Sequence, residues 1–92
     1  MTSPSPLALV VLISGSGSNL QALIDGALAG RLPIVIRAVI ANEADAFGLE
    51  RARRAGIEAR VLNHRDFADR VSFDQALMAL IDSFRPELIV LA

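Results

Sequence analysis

The densest chemistry in this chain lies between Ile13 and Gln21, in the run Ile-Ser-Gly-Ser-Gly-Ser-Asn-Leu-Gln. An apolar stretch, residues 7–13, stops abruptly in small polar residues, and a helical pattern starts directly after them. A strand, a tight turn and a helix N-terminus in so short a span make an anion seat. Glycines let backbone approach a ligand closely, and the first turn of a helix offers unpaired N–H groups and the positive end of its dipole. Ser18 is placed to cap that helix, with Gln21 three residues on to close a capping box. The Asn19 amide can both donate and accept. The loop reads Gly-x-Gly-x-x-Gln, so it lacks the third glycine of a dinucleotide fingerprint and the Gly-Lys-Ser/Thr ending of a triphosphate loop. What remains is a phosphate or small-anion site, or a strand–helix turn that needs glycine for its geometry alone.

Other reactive side chains are sparse. Cysteine is absent, which excludes disulfides and thiol catalysis and is compatible with the cytoplasm. With one histidine and no cysteine, a conventional zinc site is not expected. That histidine, His64, sits beside Arg65 and Asp66 between a short strand and a helix, and reads as a surface-loop residue rather than a general base. Arg70, at the start of the third helix, could meet a planar acceptor or lie in solvent. Asn42 follows the second strand, where ligand sites of α/β proteins gather, and is expected to cap or turn its loop. Asp45 is expected at the start of the second helix. The arginines of the run 51–54, with Asp74 and Asp82, read as solvated helix faces.

The elements that must hold these residues follow from composition and period. Hydrophobic residues make up 53% of the 92 residues, with four Phe and no Tyr or Trp. The core is therefore aliphatic, as suits buried parallel strands covered by helices. Strands are expected at 8–13, 35–41, 59–62 and 88–92. Helices are expected at 19–29, at 45–55 and from Asp66 or Asp69 to Phe84, with Gly30, Gly56 and Pro86 as stops. Apolar positions at helical spacing include Leu20, Leu23, Ile24, Ala27 and Leu28 in the first helix and Phe73, Leu77, Leu80, Ile81 and Phe84 in the third. The order β-α-β-α-β-α-β is an α/β fold: an open, mainly parallel, Rossmann-like sheet with right-handed crossovers. Residues 1–6 read as a flexible tail and 7–92 as the folded part. The last strand is apolar on both faces and reads as a central strand, so the chain is expected to be the N-terminal portion of a larger domain. If that strand lies exposed, it offers a surface for homo-oligomer formation. A net charge of −1 with interspersed signs carries no basic stripe for nucleic acid. The apolar run is too short to cross a membrane.

Three segments resemble the phosphoribosylglycinamide formyltransferase family. Val10–Ala22 (VVLISGSGSNLQA) is similar to its opening, Ile40–Ile57 (IANEADAFGLERARRAGI) to its second strand and helix, and Pro86–Ala92 (PELIVLA) to the strand leading into its folate pocket. The resemblance implies transfer of a formyl group from 10-formyltetrahydrofolate to the amine of glycinamide ribonucleotide, in purine biosynthesis. It implies that Gly17, Ser18 and Asn19 hold the phosphate-bearing substrate and that Arg70 lies near the folate. It also implies that the catalytic Asn, His and Asp fall beyond Ala92, so that this stretch alone is inactive. Two other readings stand beside it: a non-catalytic flavodoxin-like binding module, and an engineered truncated fragment that associates through its last strand. A receiver-type module would want acids where the first strand ends, and Ser14 and Gly15 stand there instead.

Overall fold

A computed structural model describes residues 5–92; of the tail expected over 1–6, residues 1–4 lie outside the described part. The elements run β1 (Leu7–Ile13), α1 (Ser18–Leu28), β2 (Ile34–Ala41), α2 (Phe47–Arg54), β3 (Glu58–Val61), a 3-10 turn (His64–Asp66), α3 (Arg70–Ser83) and β4 (Leu88–Leu91). All strand pairs are parallel, in the order β3-β2-β1-β4. This is the expected α/β Rossmann-like sheet. The order reverses between β1 and β4, so the C-terminal ends of those strands flank the crevice where such sheets bind ligands.

Alternation along the strands divides the core. Leu9, Val11 and Ile13 of β1 pack with Leu20 and Ile24 of α1 and with Leu49 and Ala52 of α2. Val10 points the other way and joins Ala38, Ile40 and Ile81 beneath α3. Helices α1 and α2 therefore cover one face and α3 the other. In β2 the alternation would place Ile36 and Ala38 on the same face, yet they belong to opposite clusters. The pairing register slips between Leu9 and Val10, skipping Arg37, which stays exposed. A bulge at the charged residue thus switches the strand's inward face without burying a guanidinium.

The apolar strand β4 has a neighbour on one side only, β1, and forms an edge of the sheet with Leu88, Ile89 and Leu91 exposed. Within the described residues β4 is thus an edge strand and not the central strand expected from its two apolar faces. Val71 and Met78 of α3 are exposed as well. Among the described residues no helix is long and apolar enough to cross a membrane.

Candidate functional site

The loop after β1 departs from the expected cap. Gly17, not Ser18, is the N-cap of α1, with φ +75° and ψ 28°, and no side chain caps the helix. Ser18 is already helical, so the capping box with Gln21 does not form. Gln21 instead donates from Nε2 to Asp25 Oδ1 at 2.9 Å and accepts from Arg51 Nη1 at 3.3 Å. The left-handed turn at Gly17 is the reason. It swings the Ser16 carbonyl off the helix axis, where it accepts from Arg51 Nε at 2.8 Å. The intrahelical ladder then begins one residue later, with the Gln21 amide donating to the Gly17 carbonyl at 2.9 Å.

The amides of Gly17, Ser18, Asn19 and Leu20 consequently donate to no acceptor among the described residues. The first turn of α1 also carries no acidic side chain. Ser18 and Asn19 are exposed, and their side chains make no hydrogen bond there. A fan of free N–H groups, a hydroxyl, a carboxamide and a helix dipole converge where β1 ends. That arrangement can hold a dianionic group such as a phosphate.

α2 presses against the back of this loop. The Gly48 amide donates to the Gly15 carbonyl at 3.2 Å. Gly17 and Gly48 meet backbone to backbone: a Cβ on Gly17 would stand 2.6 Å from Gly48 Cα, and one on Gly48 would stand 2.4 Å from Ile13 Cδ1. Arg51 also lies over the Phe47 ring, 5.0 Å from its centroid. The reading of 51–54 as a solvated face is therefore corrected for Arg51, although Arg54 keeps to the surface in a pair with Glu50. The sequence carried a signal for this: Arg51 neighbours Phe47 at i, i+4 and Gly48 at i, i+3 on the helix surface, and a glycine inside a helix invites close backbone approach. Asp45 does not start α2, whose N-cap is Ala46 with no side-chain bond.

Arg70 sits elsewhere. It opens α3, on the opposite face of the sheet, and its Nε donates to Asp74 Oδ1 at 3.1 Å. With Asn42, His64, Phe67, Asp69 and Phe73 it lines a cleft of about 470 Å³. Phe73 stands nearly perpendicular to His64 and Phe67, at 6.3 and 5.6 Å between centroids, so the cleft wall is aromatic. His64 is exposed, as expected, and forms part of that wall. A second cavity, of about 230 Å³, runs from Asn42 and Phe73 to Ser14 and Ala92. Asn42 lines both, and its Oδ1 is buried with no hydrogen-bond partner among the described residues. Its expected part as a loop cap is thus not supported by a bond from that oxygen, and it stands as an unpaired acceptor between the two cavities. Asp69, one of the two starts expected for α3, is its cap, accepting from the Ser72 amide at 2.7 Å. The Ser72 backbone N–H, ahead of its hydroxyl, holds the Asp69 carboxyl below the usual carboxylate range.

Comparison with known proteins identifies the family and the fold. Residues 7–92 match the family described as Formyl transferase. The chain is 50% identical over 84 residues to a phosphoribosylglycinamide formyltransferase of Escherichia coli, covering 91% of this chain and 40% of that protein. It is 45% identical over 84 residues to the human trifunctional purine biosynthetic protein adenosine-3, covering 91% of this chain and 8% of that protein. Among solved structures, glycinamide ribonucleotide transformylase 1 of Symbiobacterium toebii superposes with a TM-score of 0.92 at 43% identity, over 98% of this chain and 42% of that one. The Coxiella burnetii phosphoribosylglycinamide formyltransferase gives 0.89 at 53% identity, over 95% and 41%. The chain thus spans about two-fifths of the single-function relatives it matches. With matched residues running through every strand and helix of the sheet, the chain belongs to the formyl transferase family.

Proposed function

We propose that this chain is the substrate-phosphate half of a folate-dependent formyltransferase acting on glycinamide ribonucleotide in purine biosynthesis. The observation that carries the reading is the set of free amides from Gly17 to Leu20, at the end of β1 and ahead of a helix with no acid in its first turn. Gly17, Ser18 and Asn19 would hold the ribose 5-phosphate end of the substrate. The glycinamide amine would then lie toward the crevice between β1 and β4.

In this reading the amine attacks the formyl carbon of 10-formyltetrahydrofolate and a tetrahedral oxyanion forms, which needs a base and an oxyanion stabiliser. The folate supplies the formyl group. The cleft on the α3 side suits part of it: an aromatic wall from Phe67 and Phe73, and the Arg70 guanidinium at the rim, where it could meet a carboxylate or a polar ring edge. His64 serves as wall rather than base. The Asn, His and Asp that the resemblance assigns to proton transfer have no counterpart in residues 5–92, so the isolated chain binds phosphate without turning over.

The reading is tested by calorimetric titration of ribose 5-phosphate into the 92-residue chain and its Asn19→Ala variant, alongside a formyl-transfer assay. Expected are saturable binding by the native chain, at least several-fold weaker binding by the variant at unchanged circular dichroism, and no turnover by either. Equal affinity in the two folded proteins would remove the loop from the site.

A further inference from the structure

We infer that Arg51 is a positioning residue for the anion seat, holding the Ser16–Gly17 peptide in the orientation that frees the loop amides. This rests on the phosphate reading of the loop and names the side chain that enforces it.

The argument starts from the backbone. Had Gly17 taken ordinary helical angles, the Ser16 carbonyl would point down the helix axis and accept from the Leu20 amide, as helix geometry requires. The N-terminal fan would then shorten by one donor. Instead Gly17 stands at φ +75°, and the Ser16 carbonyl is turned outward. A carbonyl so turned needs another donor. Arg51 supplies it with Nε at 2.8 Å, while Nη1 reaches Gln21 Oε1 at 3.3 Å. One guanidinium thus ties the residue before the N-cap to the first turn of α1.

Arg51 is itself held. The face of Phe47 lies 5.0 Å from its guanidinium carbon. The Gly17–Gly48 contact fixes how closely α2 approaches the loop. Arg51 has no carboxylate partner among the described residues, unlike Arg54, Arg60, Arg65 and Arg70. Its charge is therefore left to act on whatever anion occupies the loop. A planar guanidinium with Nε and Nη1 donors held in fixed, different directions makes both bonds at once, whereas an ammonium is a point donor.

The test uses the 92-residue chain with inorganic phosphate and ribose 5-phosphate as probes, and the variants Arg51→Met, Arg51→Lys and Arg53→Met. Arg53 is exposed on the same helix, so its variant removes an equal charge away from the loop. Arg51→Met is expected to weaken phosphate binding about tenfold or more, as the loss of a charge-assisted contact implies. Arg51→Lys should recover part of that loss, and Arg53→Met should bind as the native chain does. Amide hydrogen exchange without ligand gives a second readout: the Gln21 amide should exchange faster in Arg51→Met while the β1 and β2 amides keep their protection. Native-like affinity and exchange in Arg51→Met, in a native chain that binds phosphate, would overturn the inference and leave the phosphate reading intact. If the native chain binds neither probe while Arg51→Met alone loses loop protection, the phosphate reading fails and Arg51 remains only a brace for the turn. That outcome overturns its placement in an anion seat.

Discussion

The two faces of the sheet are finished to different degrees. On the α1–α2 face, Leu20, Leu49 and Ala52 are fully buried against β1 and β2, two glycines interlock, and the loop carbonyls of Gly15 and Ser16 each have a donor from α2. On the α3 face, Ile81 is the helix's one buried side chain, Val71, Met78, Ile89 and Leu91 are exposed, and Asn42 Oδ1 is buried without a partner among the described residues. The loop between β1 and α1 is thus braced by groups of α2. The cleft beside α3 offers an aromatic wall and a charged rim. A binding loop can be preorganised by its own neighbours while the adjoining half of a site is left open.

The sharpest way to break this contrast is at the glycine interlock. Gly17→Ala combines a left-handed φ of +75° with a Cβ 2.6 Å from Gly48 Cα; it should cost about 3 kcal/mol in urea denaturation and abolish phosphate binding. Gly30→Ala shares a similar φ, +74°, but its Cβ meets nothing within 4 Å, so it should cost only about 1 kcal/mol. Equal costs would mean that the loop and α2 are not interlocked.

Core truncation compares the faces directly. Leu49→Ala, at a position 0% exposed, should cost about 3 kcal/mol, and Leu77→Ala on half-buried α3 about half of that. A reversal would place the stronger core beneath α3. The Asn42→Leu exchange, which replaces an unpaired buried acceptor by a hydrocarbon branch of the same shape beside a cavity, should raise stability by about 1 kcal/mol. A loss of that size would reveal a partner for the amide.

Smaller effects sharpen the picture. Met78→Lys on the exposed face of α3 should change stability by no more than about 0.5 kcal/mol. A larger loss, with a mass in light scattering that falls on mutation, would show that copies of the chain cover this face. Acid should loosen the start of α3. Because hydrogen bonds from Ser72 lower the folded pKa of Asp69, its contribution is complete above the ordinary carboxylate range. It is lost as pH falls through the lowered value. Amide exchange at Ser72 should therefore quicken in acid in the native chain, and respond less to pH in Asp69→Asn.

How far these features were legible in the sequence depends on what fixes each. The β-α alternation followed from apolar runs and stop residues, which act locally, and the turn with unpaired amides ahead of α1 followed from the Ser-Gly-Ser-Gly-Ser-Asn stretch. The cap was misassigned because Ser18 satisfies the local rule for a cap, whereas the φ at Gly17 is set by a contact with Gly48 across the fold. Arg51 was hidden for the same reason: a charged residue on an amphipathic helix looks solvated until the loop that packs on it is known. The bulge at Arg37 left no mark in a strand that is apolar on both sides of it.

The measurement that bears most directly on the central claim is a two-dimensional NMR titration of the native chain with inorganic phosphate. The account predicts saturable shifts confined to the amides of Gly17, Ser18, Asn19 and Leu20, with the Arg51 Nε–H resonance following them. Saturable shifts centred on His64 and Arg70 with the loop amides unmoved, or no saturable shift at all, would contradict it.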